Sequence, residues 1–381
     1  MRRWKKLTEA ASVLYGRHFD TSLITHEATQ GTPLVRVGDV TTGKANSYFT
    51  GPIPSPPMKY LVKKGDIVVS MSGNFNVNRW NDQDALLDLR VMRIRGKQNS
   101  SSTDYLFHYL QPVFKQIESA TSGNRTKNLT AKKINEIEVF LPEYKEQQRI
   151  AETLNGYSVK IEEIKQQIEQ QQKLLITFRD ELFDIENEPE TITTTLGEIC
   201  LNIYGGGTPK TNIAEYYQGN IPWLRTQEVD WNYIDDTEMK ISQTAVDHSQ
   251  AELIPPGCVI VAMYGSTAGK AAINRIPLCT NQACCNLQID PRKALPEYVF
   301  HWLQHEHPSL KALGEGPRGN LNASKIKNYP IILPPIAEQH RIVNDIDTIN
   351  NNIAALERQV TLLREQYENE RDQLLRDGRG A

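Results

Sequence analysis

Residues able to do chemistry are scattered through this 381-residue chain, and none of the small constellations they form completes a catalytic motif. Gly265-Ser266-Thr267-Ala268-Gly269-Lys270 has the composition of a phosphate-cradling loop. A Walker loop, however, needs four residues between its glycines and Ser or Thr after the lysine; here there are three, and Ala271 follows. The triple glycine Gly205 to Gly207, followed by Thr208-Pro209-Lys210, also lacks a nucleotide fingerprint and reads as a flexible loop. His301, His305 and His307 fall near the end of an expected helix. No carboxylate motif completes a zinc site there, and His108 occupies the place of His301 elsewhere without companions, so packing or surface roles are expected. Glu238-Met239-Lys240 after Asp230 fits the acidic plus Glu-x-Lys pattern of nucleases, but Glu143-Tyr144-Lys145 and Glu163-Ile164-Lys165 fit it too, which removes its meaning. The chain has no G-x-S-x-G elbow and no Asn or Asp before a Pro-Pro-aromatic run. No catalytic residue and no metal site are expected.

What recurs is a set of polar and basic residues in loops beside expected strands. The first half of the chain offers Arg36, Lys44, Asn74, Asn76, Asn78, Arg79, Arg125 and Lys127; the second offers Lys210, Arg225, Ser266, Thr267, Lys270 and Arg318. Arg and Lys neutralise phosphates, while Arg, Asn and Ser reach base edges in the major groove. Any one of them could equally be a solvated loop residue. The expectation of DNA binding rests on the whole set appearing twice.

The elements that must position these residues are duplicated. Leu141-Pro142 then Glu146 to Ile150 answers Leu333-Pro334 then Glu338 to Ile342, an interval of 192 residues. Lys64 to Val69 answers Pro256 to Val261, Asp104 to Leu110 answers Glu297 to Leu303, and Asn128 to Ile134 answers Asn320 to Ile326, in one order and at 192 or 193. This is a tandem duplication, with too few copies for a solenoid. Each copy is expected to be mixed α and β: glycine turns precede β-rich runs at Asp66 to Met71 and Cys258 to Met263, and the aromatic blocks at Asp104 and Glu297 have helical spacing.

Each copy ends in a heptad helix. The first seam runs through Ile150, Leu154, Tyr157, Ile161, Ile164, Ile168 and Leu175, with Gln171 polar; the second runs through Ile342, Ile346, Ile353, Leu356, Val360, Leu363 and Tyr367, with Glu370 polar. An apolar stripe of that length needs a partner, and the nearest is its own copy. From Ile150 to Leu182 such a rod is roughly 50 Å long at about 1.5 Å per residue. The expected organisation is a globular part at 1–142, a helix at 143–185, a linker at 186–195, a second globular part at 196–334, a second helix at 335–375 and a tail at 376–381.

Hydrophobic residues at 39% and charged residues at 23% describe a folded chain. No run of about 18 apolar residues suggests a membrane span, and Met1 to Lys6 has no apolar segment behind it, so a cytoplasmic location is expected. The net charge of −3 gives no global attraction to nucleic acid, and the five cysteines without CxxC spacing read as reduced thiols.

In its order of blocks the chain resembles the specificity subunits of type I restriction–modification enzymes, over essentially its whole length. The two L-P…E-Q-x-R-I helix starts, the Gly257 to Lys270 block and the Asn-Leu blocks at Asn128 and Asn320 carry the resemblance. It implies an α+β fold: two tandem target recognition domains separated by two long antiparallel coiled-coil helices, with pseudo-twofold symmetry. It also implies double-stranded DNA read as a split target, and two methyltransferase subunits with restriction subunits as partners. S-adenosylmethionine, ATP and Mg²⁺ would be used by those partners and not by this chain, a non-catalytic subunit. One departure is that Gly73-Asn74-Phe75-Asn76-Val77-Asn78-Arg79 stands where the second copy has Gly265 to Lys270, without its second glycine, so the halves should read different sequences. The rival expectation is a coiled-coil adaptor with no DNA role.

Overall fold

A computed structural model describes residues 3–28, 30–53, 61–121, 127–183, 190–316 and 319–377. The chain divides into two compact units, Met1–Lys165 with Arg358–Ala381, and Gln166–Glu357. Each unit therefore takes one globular part and a portion of both long helices.

In the first unit, Arg3–Lys6 pairs antiparallel with Glu138–Leu141, tying the start of the domain to the strand that leads into the first long helix. The central sheet has four strands in the order Ala11–Tyr15, Val91–Gly96, Ile67–Ser70, Val77–Arg79. Its middle strand is buried on both faces because side chains alternate. Ile67 and Val69 pack under helix Thr103–Ala120 with Leu106, Leu110 and Phe114, while Val68 faces a second core with Val35, Trp80 and Leu87. A second sheet of five short strands, in which Thr32–Val35 runs parallel to Ala85–Leu87, forms that side.

The second unit repeats the plan. Ile192–Thr195 pairs with Pro330–Leu333. The central sheet runs Cys200–Gly205, Cys284–Ile289, Val259–Ala262, Ala271–Asn274, Asn232–Ile234. Val259 and Val261 pack with helix Pro296–His305, and Ile260 turns to the opposite core with Leu224 and Leu278. The Asn-Leu blocks have a local reason: the Thr130 and Asn322 side chains cap short helices by accepting from the backbone N–H of Lys133 and Lys325. Leu129 and Leu321 donate their N–H to the carbonyls of Met71 and Met263, 2.8 and 2.9 Å away.

The long helices are Tyr144–Phe183 and Ile336–Asp377. In the first unit Ile150 and Leu154 share a core with Leu375, against which Tyr367 and Leu374 pack. In the second unit Leu175 and Leu182 share a core with Ile342, Ile346 and Ile353. Early positions of one helix thus meet late positions of the other, and the two pack antiparallel. Ile164 and Val360 are buried, and Ile161, Ile168, Leu356 and Leu363 are half-buried.

Two details differ from the expectation. The first turns of each seam, Ile150 with Leu154 and Ile342 with Ile346, serve the globular cores as well as the helix pair, because each helix leaves its domain directly from an edge strand. The stretch expected as a linker, 186–195, lies outside the described residues up to 189, and its β-branched end Ile192–Thr195 is a paired strand. Among the described residues no helix is long and apolar enough to cross a membrane.

Candidate nucleic-acid interface

Arg36 and Arg225 hold equivalent places, each just before a short 3₁₀ turn whose third residue is acidic. Asp39 accepts from the Arg36 backbone N–H at 2.9 Å, and Glu228 from that of Arg225 at 3.1 Å. The strands Thr32–Val35 and Ile221–Leu224, each flanked by two others in its sheet, end immediately before these arginines. Arg36 stays 43% exposed beside Asp88, at 3.4 Å, whereas Arg225 is drawn onto Glu238 and Glu228. Burial raises the Asp39 carboxyl above its ordinary value.

Around Arg36 lies a cleft of about 530 Å³ lined by His18, His26, Asn46, Ser72 and Arg90 among others. Arg90 has a left-handed φ of 67° and is exposed. Next to His18, Arg17 stacks on Phe19, 5.8 Å from the ring centre. A concave wall carrying Arg36 and Arg90 with Asn46 suits phosphates and base edges together. Sequence reading missed His18, Asn46 and Arg90, because they lie on three separate loops that only the fold brings to Arg36.

The block Gly265 to Lys270 is a turn held by backbone conformations that favour glycine: Gly265 has φ +82° and Gly269 φ +83°. A Cβ on Gly269 would meet His307 at 3.2 Å. Thr267 is buried and its hydroxyl donates to the carbonyl of Thr226 at 2.8 Å, while Lys270 pairs with Asp230. Ser266 and Tyr264 are exposed at the tip. In the first domain, Gly73 takes φ +74°, Asn74 accepts the Ser70 hydroxyl through its carbonyl at 2.6 Å, and Phe75 is buried. Two differently built turns thus stand at one place in the duplicated plan.

The remaining expected residues fall into distinct groups. Lys44, Asn74, Lys210 and Ser266 are exposed, and among the described residues their side chains make no hydrogen bond or ion pair. Asn76 is half-buried and its backbone N–H donates to Ser70 Oγ. Asn78 donates to the carbonyl of Thr41 at 2.8 Å, and Lys127 lies 3.8 Å from Glu118. Arg79 turns inward: it meets Asp104 at 3.0 Å and Asn155 at 2.7 Å and stacks on Phe107 at 4.5 Å, so it braces the domain against the long helix. Arg125 and Arg318 lie outside the described residues.

His301, His305 and His307 go separate ways, His301 to Asp347, His305 to Asp180, and His307 to the Ala268 carbonyl. Among the described residues no group of three His, Cys, Asp or Glu side chains is placed to hold a metal ion. The cysteines are free, and burial pushes the Cys258 and Cys285 thiols up to about 12.

The family described as type I restriction modification DNA specificity domain matches residues 3–172 and 190–363, one match to each copy. The chain belongs to that family. As a type I specificity subunit, it is similar to the EcoBI specificity subunit of Escherichia coli, 24% identical over 94% of this chain and 81% of that one. It is also similar to the EcoR124I/EcoR124II specificity subunit of Escherichia coli, 26% identical over 83% of this chain and 81% of that one. Its fold resembles the crystal structure of a type I restriction-modification S subunit from M. genitalium, with a TM-score of 0.62 at 15% identity, covering 98% of this chain and 96% of the other. A second structure, solved in a study of complex assembly and conformational transition of the type I R-M system, gives 0.62 at 18% identity, covering 99% and 97%.

Proposed function

We propose that this specificity subunit reads a split double-stranded DNA target, one half with each duplicated domain, and supports two methyltransferase subunits and restriction subunits that carry out the chemistry. The observation that carries the reading is the pair of unlike turns, Ser72 to Asn78 and Tyr264 to Lys270, at one place in two otherwise matching domains. Duplicated scaffolds with different tips suit two different half-sites. Phosphate contacts would come from Arg36, Arg90, Lys44 and Lys210, and base contacts from Asn46, Asn74 and Ser266.

The long helices favour a scaffold. Their surfaces are rich in Glu, Gln and Lys, yet Val159, Leu174, Ile176 and Leu362 are more than half exposed, a pattern suited to partner subunits. S-adenosylmethionine, ATP and Mg²⁺ belong to those subunits in this reading. The test is selection of bound fragments from random DNA by the chain assembled with its methyltransferase. Two conserved blocks separated by a gap of constant length support the reading; a single contiguous block, or no enrichment, overturns it.

A further inference from the structure

The duplication lets one site be compared with its sister inside a single chain. In the first unit His108 is fully buried, with Nε2 at 2.8 Å from Asn155 Oδ1 and Nδ1 at 2.8 Å from the Tyr367 hydroxyl. Arg371 donates to Asp372 Oδ1 at 2.9 Å and lies over the Tyr367 ring, 5.6 Å from its centre. Both ring nitrogens of His108 therefore have partners, and Tyr367 fills the space beside them.

Moved by the duplication interval, His108 becomes His301, Asn155 becomes Asp347, Tyr367 becomes Leu175, Arg371 becomes Arg179 and Asp372 becomes Asp180. The second unit leaves this site incomplete. Leu175 has no hydroxyl, and the Nδ1 of His301, a residue 2% exposed, is buried without a hydrogen-bond partner. Asp180 has turned to His305, 3.0 Å from its Nδ1. Arg179 is only 9% exposed, and among the described residues it makes no hydrogen bond or ion pair. Its Nε is buried without an acceptor, which is uncommon in folded proteins because a donor that loses water and gains no partner costs free energy.

Where Tyr367 fills the first site, the second has a cavity of about 670 Å³. Arg179 and His301 line it with Gln172, Gln304, Asn350 and Asn351. Arg275, stacked on Tyr233 at 4.1 Å and paired with Asp235 at 3.4 Å, adds positive charge to its wall, while Asp347 is engaged by His301 Nε2 at 3.3 Å. We propose that this cavity of the second unit binds a small oxyanion, a phosphate or a carboxylate, on the guanidinium of Arg179, with the surrounding amides as further donors. The planar guanidinium matches two oxygens of either anion, and the volume suits a small molecule. The site is separate from the DNA-reading turns and does not rest on their assignment.

The experiment is calorimetric titration of the full chain with inorganic phosphate and, in a second arm, with malonate, at constant ionic strength set by chloride. One saturable site for either anion is expected, and the stronger arm tells phosphate from carboxylate. Arg179→Met should weaken it roughly tenfold to a hundredfold, the usual effect of losing a charged hydrogen bond. Leu175→Tyr, which restores the first unit's side chain, should fill the cavity and abolish binding, and Arg371→Met should leave it unchanged. Should Arg179→Met fail to fold, Leu175→Tyr carries the test alone. No saturable binding of either anion, or binding untouched in a folded Leu175→Tyr chain, overturns the proposal.

Discussion

Gln147 and Gln339, 192 residues apart, make the same three hydrogen bonds. Each is 1% exposed in the first turn of a long helix. The Gln147 amide donates to the carbonyls of Pro142 at 2.9 Å and Ser100 at 3.2 Å, and its oxygen accepts from the Ser102 N–H at 2.9 Å. Gln339 does so with Pro334 at 2.9 Å, Lys293 at 3.2 Å and Leu295 at 3.0 Å. The glutamine of each E-Q-x-R-I signature is therefore a clamp between the helix start and the loop before the domain's main helix. The flanking Glu and Arg form surface pairs, Glu146 with Arg149 and Glu338 with Arg341, which stabilise little.

Replacing Gln147 by Leu keeps the volume but strands three buried backbone groups. At about 1–3 kcal/mol for each unsatisfied group, partly relieved by relaxation, a loss of roughly 2–4 kcal/mol is expected. Urea unfolding followed by circular dichroism measures it, and Arg149→Ala, by contrast, should cost under about 1 kcal/mol.

His108 is held neutral, its pKa pushed down to about 4, first by burial. Unfolded, an imidazole titrates near its ordinary value of about 6.5. Between those limits the unfolded chain binds the extra proton, so this residue's contribution is intact above about pH 6.5 and is lost as pH falls toward 4. The loss amounts to about 3 kcal/mol at about 1.36 kcal/mol per unit. Comparing the pH dependence of stability for the parent and His108→Gln chains isolates it: the variant should show a shallower decline over that window.

Gly156 sits exposed within the first long helix, and nothing lies within 4 Å of where a Cβ would stand. Gly156→Ala should stabilise the chain by roughly 0.5–1 kcal/mol through the lower backbone entropy of the unfolded state. Thermal unfolding reads this directly. A lower melting temperature would mean that the helix needs glycine there for another reason.

Arg36, a proposed phosphate contact, and Arg79, a brace within the domain, should respond differently to substitution. Arg36→Ala should weaken DNA binding and reduce the slope of log affinity against log salt by about one. Arg79→Ala removes the contacts to Asp104, Asn155 and Phe107, so it should lower stability and leave the salt slope unchanged. Fluorescence anisotropy over a salt series distinguishes the two.

The duplication, the two heptad helices and the mixed α and β domains were legible in the sequence because periodicity and repeated blocks are local signals that burial enforces. Ile150, Leu154, Ile342 and Ile346 show where that legibility stopped, since a seam position cannot tell whether it faces a helix or a sheet. The interface was less legible. Arg79 and Asn74 look alike as polar loop residues, yet strand Val77–Arg79 points the arginine at the helix and the preceding turn leaves the asparagine outside. The cleft around Arg36 had no sequence signal, because His18, Asn46 and Arg90 become neighbours only when two sheets meet.

The central claim is that each domain reads its own half of the target. Transplanting the first domain's turn, residues 73–78, in place of residues 265–270 of the second, followed by repeated selection from random DNA with the methyltransferase present, tests it most directly. Altered preference in one block, with the other block and the gap unchanged, is the predicted result; changes in both blocks together would contradict it.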